Sequence, residues 1–227
     1  MQPLGTVEIR RHLEHDPWTY ELLDQRQRQV AIRVREGGPG ALLLSEVAPV
    51  ITVGRRTPEA DIQTTPEFLQ SLGMSLHRTD RGGLATWHGP GQWVLFAVDS
   101  LERLTGDPRG VKESVCRLLR IARELARTLG KSETRNGLRI GEGNELGVWL
   151  GDAKFASVGV HVEQGVLLHG LSVNIYHTST SFLGLRPCGL DKPMAYLLSE
   201  SEGRERFGEV GELLVRGANQ EFREAGI

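Results

Sequence analysis

Apolar residues recur along this chain with two periods, and the change from one to the other outlines the fold. Val111, Val115, Leu118, Ala122, Leu125 and Leu129 follow at three- and four-residue steps, one stripe of an α-helix that Gly130 stops. Arg117, Arg120, Arg123 and Arg127 fall on its other side, which predicts a solvated face, and Cys116 sits with them. Further on, Gly147–Leu150, Lys154–Val162 and Val166–Ile175 are short strand-like runs broken by Gly151-Asp152 and Glu163-Gln164-Gly165, the pattern of a β-meander.

The remaining elements follow from similar signals. Asp16-Pro17-Trp18 reads as a helix start, with a capping aspartate before a first-turn proline. That helix should run through Leu22, Leu23, Gln25 and Val30 to Gly37-Gly38-Pro39, with Arg26, Arg28, Arg33 and Arg35 in solvent. Ala41–Leu44 and Val50–Val53 are continuously apolar, as strands covered on both faces are. A short helix is expected at Pro66–Leu69, strands at Met74–Arg78 and Trp93–Val98, and a last helix from Phe207 to Phe222. Strands and helices mix without strict alternation, which predicts an α+β fold, and no linker divides the chain, so residues 1–227 are expected to form a single domain.

Composition narrows the function. The chain has 227 residues, 25% charged and 39% hydrophobic, with a net charge of −2. That balance fits a globular protein and argues against a broad nucleic-acid surface. No window has the apolar length of a membrane span, and Met1–Glu8 lacks the pattern of a signal peptide, so a cytoplasmic protein is expected. Cys116 and Cys188 are then expected to stay reduced.

The densest candidate for chemistry is Arg81-Gly82-Gly83-Leu84-Ala85-Thr86-Trp87-His88-Gly89-Pro90-Gly91-Gln92, with four glycines in twelve residues. Flexible linkers lack such large side chains, so a binding loop with close backbone approach is favoured over a linker or a plain turn. Cys188, between Pro187 and Gly189, is either a buried inert thiol or a nucleophile in need of an activator. Lys154 opens an apolar strand, where a lysine ordinarily reaches out to solvent. His161, His169 and His177 recur every eight residues, so one strand face could hold them, but the spacing matches no metal motif.

Several of these segments together resemble the octanoyltransferases of lipoate biosynthesis, relatives of the biotin and lipoate protein ligases. The glycine loop resembles their signature loop. Gly151-Asp152-Ala153-Lys154-Phe155-Ala156-Ser157-Val158-Gly159 resembles their lysine segment, and His169-Gly170-Leu171-Ser172-Val173-Asn174 and Pro187-Cys188-Gly189-Leu190 the two that follow. Pro49–Arg55, Tyr20 and Gln25 fit as well, so the resemblance covers roughly residues 16 to 195. Departures are His161 for a common arginine, Ser172 for alanine and Thr178 for aspartate.

The resemblance implies a mixed β-sheet flanked by helices and a catalytic pair, Cys188 and Lys154. It implies substrate contacts from Arg81, Gly82, Gly83, Leu84, Ala85, Thr86, Trp87 and His88, from Ser157, Val158 and Gly159, and from Gly170, Leu171 and Ser172. The implied donor is octanoyl-acyl carrier protein. The implied acceptors are lipoyl domains of 2-oxoacid dehydrogenase complexes and the glycine cleavage H protein. No cofactor, metal, nucleic acid or membrane is expected. The rival readings are an ATP-dependent lipoate or biotin ligase of the same fold, and a non-catalytic acyl-binding relative.

Overall fold

The computed structural model describes residues 5–13, 15–58, 62, 65–130, 137–183 and 192–223. Among the described residues, ten strands form two sheets. β1 (Thr6–Arg10), β2 (Ala41–Ser45), β6 (Gln92–Val98), β10 (Val166–Asn174), β9 (Ala153–Glu163), β8 (Gly147–Leu150) and β7 (Leu138–Gly141) make a seven-stranded sheet in the spatial order β1-β2-β6-β10-β9-β8-β7. β4 (Ser75–Arg78), β3 (Val50–Val53) and β5 (Thr86–His88) make a three-stranded sheet with β3 in the middle. The large sheet is antiparallel except for β1 with β2, and in the small sheet β3 runs parallel to β4 and antiparallel to β5. The expected meander is β7 to β10, each strand hydrogen-bonded to the next.

The apolar strands are buried on both faces because helices cover both sides of the large sheet. Helix α1 (Tyr20–Arg35) packs with Leu43, Val94, Phe96 and Leu168. Alternate residues Leu42, Leu44, Trp93 and Leu95 face the other way, into the main core with α4 (Val111–Leu129) and the last helix, α5 (Glu200–Arg223). Two short helices, α2 (Pro66–Ser71) and α3 (Leu101–Thr105), and a 3-10 turn at Gly143–Glu145 complete the helical elements among the described residues.

Three sequence expectations need correction. Helix α1 starts at Tyr20, and its cap is Thr19, whose hydroxyl accepts from the Leu22 N–H at 3.3 Å. Asp16 instead exchanges backbone hydrogen bonds with Leu13. The Trp18 indole N–H on Ser45 and the Ala48 N–H on the Trp18 carbonyl hold Trp18 against β2, before the helix begins. Helix α5 begins seven residues before Phe207, at Glu200. The missed signal is Ser199-x-x-Glu202, in which the Glu202 N–H donates to the Ser199 hydroxyl and the Ser199 N–H donates to the Glu202 carboxylate, a capping box. Finally, the arginine face of α4 is not simply solvated: Arg117 donates to the Glu221 carbonyl and Arg120 pairs with Glu221 at 3.0 Å, docking α5. The α1 arginines do carry acidic partners near the surface, Arg26 with Glu8 and Arg35 with Glu163.

Phe207 anchors α5 by stacking on Trp93 with ring centroids 4.3 Å apart, while the Trp93 N–H donates to the Phe207 carbonyl at 3.0 Å. Phe207→Ala should therefore lower the stability in urea by about 3–5 kcal/mol. Leu22→Ala, at an exposed position on α1, should stay within about 0.5 kcal/mol of the parent. Equal losses for both would remove α5 from the cooperative core.

Candidate active site

The glycine loop spans the gap between the two sheets and walls a cavity of about 430 Å³. Its backbone is clipped down on both sides. The Gly82 N–H donates to the Val160 carbonyl of β9 at 2.9 Å, and the N–H groups of Arg55 and Arg56 donate to the carbonyls of Arg81 and Gly83. Glycine is needed at Gly159, where a β-carbon would stand 2.9 Å from the Gly82 carbonyl oxygen. Arg81 is buried and acts on its own loop. Its guanidinium donates to the carbonyls of Gly82, Leu84 and Thr52 and to the Thr52 hydroxyl, at 2.8–3.1 Å.

Most of the expected substrate contacts meet at this cavity. Arg81, Gly82, Gly83, Leu84, Thr86 and His88 line it from the loop. Ser157, Val158 and Gly159 line it from β9, and Gly170, Leu171 and Ser172 from β10. Ala85 and Trp87 are not on its wall; they are buried in the small core between the three-stranded sheet and α2, where Trp87 meets Phe182. Val94, Phe96 and Leu146 add apolar surface that the motifs did not announce.

Lys154 lines the cavity too, only 4% exposed. The general habit of strand-end lysines, reaching for solvent, does not hold here. Its ammonium donates to the Leu146 carbonyl at 2.6 Å and lies 5.5 Å from the centre of the Trp149 ring. Its backbone pairs with the segment 193–195: the Lys154 N–H donates to the Pro193 carbonyl at 3.0 Å and the Ala195 N–H to the Lys154 carbonyl at 2.8 Å. Lys192, next to that segment, pairs with Glu145 and also lies over the Trp149 ring, 5.2 Å from its centroid. Cys188, with Pro187 and Gly189, lies outside the described residues. Cys116 is half-buried on α4.

A buried polar chain that the motifs did not reveal joins α1 to the cavity. His169 has a left-handed backbone, φ +60°, which for a residue with a side chain is uncommon and marks a constrained position. The turn sends its ring toward α1, the side that Leu168 also faces. Nε2 lies 2.6 Å from Asp80, Nδ1 lies 3.2 Å from the Tyr20 hydroxyl, and the backbone N–H donates to Gln27 at 2.7 Å. Burial holds His169 below its ordinary pKa against the pull of Asp80, while the His169 hydrogen bond holds Asp80 well below the carboxylate range. A neutral ring that donates Nε2–H to the carboxylate and accepts from Tyr20 satisfies both. Burial also raises the Tyr20 phenol, so it stays a neutral donor.

The three histidines therefore do not act as one set. His161 approaches Asp80 at 3.8 Å, but His177 packs on Tyr196. Asp80, His161 and Glu163 bring ligand-type atoms within 4.8 Å of one another, yet Arg28 and Arg35 already pair with the two carboxylates. Of the two α1 residues in the resemblance, Tyr20 reaches the cavity and stacks on His88 at 5.3 Å, whereas Gln25 is exposed and bonds Glu21.

His88 generates a prediction. Its Nδ1–H donates to Gln92 at 2.6 Å, its Nε2 is buried with no hydrogen-bond partner, and burial, helped by the Arg81 charge, pushes its pKa down to about 3. An unfolded histidine titrates near 6.5. As pH falls through that value, the unfolded chain takes up a proton that the folded one refuses. Stability should thus be lost between roughly pH 6.5 and 3, at up to about 1.4 kcal/mol per pH unit. Urea titrations from pH 7 to 4 should show a shallower loss for His88→Gln than for the parent. Parallel curves would contradict a buried neutral His88.

Comparison with known proteins shows what the chain as a whole is similar to. The family described as lipoyl protein ligase A/B catalytic domain matches residues 19–217. An octanoyltransferase of Magnetococcus marinus is 38% identical over 191 residues, 83% of this chain and 80% of the relative. An octanoyltransferase of Rhodococcus jostii is 35% identical over 181 residues, 79% of this chain and 67% of the relative. In fold, the chain is similar to a lipoate-protein ligase A solved with ATP, with a TM-score of 0.64, 17% identity, and coverage of 95% of this chain and 86% of that one. That likeness supports the mixed sheet flanked by helices. The chain belongs to the lipoyl protein ligase A/B catalytic-domain family and, within it, to the octanoyltransferases.

Proposed function

We propose that this chain, acting as one domain in the cytoplasm, moves an octanoyl group from octanoyl-acyl carrier protein to a specific lysine of a lipoyl domain, through a thioester on Cys188. The observation that carries the reading is Lys154, buried on the wall of a partly apolar cavity and hydrogen-bonded to the segment that follows Cys188 by five to seven residues. Relatives named octanoyltransferase support the acyl group and the reaction.

The chemistry takes two steps. The Cys188 thiolate attacks the thioester carbonyl, forming a new C–S bond, and the carrier thiolate leaves and takes up a proton. The amine of the acceptor lysine then attacks the acyl-enzyme. A C–N bond forms, the bond to Cys188 breaks, and the proton lost by the amine passes to a base. A thioester is already activated, so neither step needs ATP. Lys154 as an ammonium favours the thiolate, and as a neutral amine it is the base for the second step. Val94, Phe96, Leu146, Val158 and Leu171 supply apolar wall for the acyl chain. Burying about seven methylenes gives ~5 kcal/mol before the cost of ordering chain and loop. Lipoyl domains of 2-oxoacid dehydrogenase complexes and the glycine cleavage H protein are the acceptors this reading names.

Purified protein should move octanoyl from carrier to lipoyl domain without nucleotide or magnesium. Cys188→Ser should abolish transfer, and Cys116→Ser should leave its rate within about twofold, since Cys116 is not among the residues that line the cavity. A strict ATP requirement with free octanoate as the better donor would make the chain a ligase instead.

A further inference from the structure

We infer that Gly147 is a positioning residue for Lys154: the space left by its missing side chain is the slot through which the lysine reaches the cavity. Gly147 opens β8 with φ +150°, a backbone that favours glycine. A β-carbon there would stand 2.2 Å from Lys154 Cε and 3.0 Å from Nζ. No conformation keeps both that methyl group and the lysine where it now lies.

The neighbours of Gly147 complete the holder. Leu146, one residue before, gives the carbonyl that accepts the ammonium at 2.6 Å. Trp149, two residues after, gives the ring face 5.5 Å away, and its own N–H is tied to the Glu145 carbonyl at 2.8 Å. The pairing of β8 with β9 shifts register here, from Val148 opposite Ala156 to Trp149 opposite Lys154. One extra residue on β9 is thereby absorbed, and the lysine is set across from the indole. One short strand and the residue just before it thus supply acceptor, gap and ring face. A side chain at position 147 closes the gap and turns Lys154 back toward solvent, the usual place for a strand-end lysine.

The inference rests on the reading of Lys154 as the partner of Cys188, and its test separates the two. Full-length Gly147→Ala, Lys154→Ala and the double variant are compared in single-turnover acylation by octanoyl-acyl carrier protein across pH, and in thermal unfolding. Gly147→Ala should slow acylation roughly 100-fold at neutral pH and move its pH profile toward that of Lys154→Ala. The double variant should match Lys154→Ala in rate, and the alanine should lower the melting temperature less with Lys154 absent than present, because the colliding lysine atoms are gone while the φ +150° backbone remains. If Gly147→Ala alone does not fold, recovery of the fold in the double variant supports the same conclusion. A methyl group at 147 would also stand 2.5 Å from the Ala156 carbonyl. If that contact dominates, the alanine costs as much with Lys154 absent as present, the pH profile stays put, or the double variant fails to fold; any of these overturns the inference. If the parent protein takes up no octanoyl at all, the proposed function fails, while the melting temperatures of the same four proteins still decide whether Gly147 acts through Lys154.

Discussion

The constraint on which the site depends is the burial of the Lys154 amine inside a β-sheet protein. An ammonium withdrawn from water needs acceptors and a face that tolerates charge, or its burial is costly. The chain meets that need locally, with the Leu146 carbonyl and the Trp149 ring. At longer range, residues 193–195 pair with the lysine's backbone and fix where its side chain starts. The meander exists in a form that allows this: β8 and the residue before it carry the holder, β9 carries the lysine, and β10 pairs with β9 on its other edge.

A second polar commitment fixes the opposite wall. Arg81 spends its donors on carbonyls of the glycine loop and of β3, so the loop is shaped by a side chain of its own rather than left to the flexibility of its glycines. The Asp80–His169–Tyr20 chain then ties the start of the same loop to β10 and α1. Both walls are held by hydrogen bonds made before any substrate arrives, which lowers the ordering cost of binding.

Much of this was legible in the sequence, for physical reasons that also explain the rest. The α4 stripe gave its bounds without error because a long amphipathic period leaves little choice. The meander was readable from its turns. The start of α1 was not, because Asp16-Pro17 carries a correct capping signal in a segment that Trp18 pins against β2 before the helix can begin. The arginines of α4 looked like a solvent face because their partner, Glu221, is a hundred residues away. Gln27 and His169 went unnoticed as a pair, yet Gln27 lies on the buried stripe of α1 with Leu23 and Val30. A lone polar residue on such a stripe is a usable signal. Ala85 and Trp87 belong to the loop motif but serve the small core, a division that motif spacing does not encode.

The fold is shared with an ATP-bound lipoate-protein ligase, so architecture does not separate transferase from ligase; the covalent intermediate does. The most direct test is intact-mass analysis and peptide mapping of the protein after brief exposure to octanoyl-acyl carrier protein without nucleotide. One octanoyl group, carried by the peptide that contains Cys188 and released by hydroxylamine, is the predicted result. An unmodified protein that nevertheless delivers octanoyl to a lipoyl domain, or an adduct found on Cys116, would contradict the account.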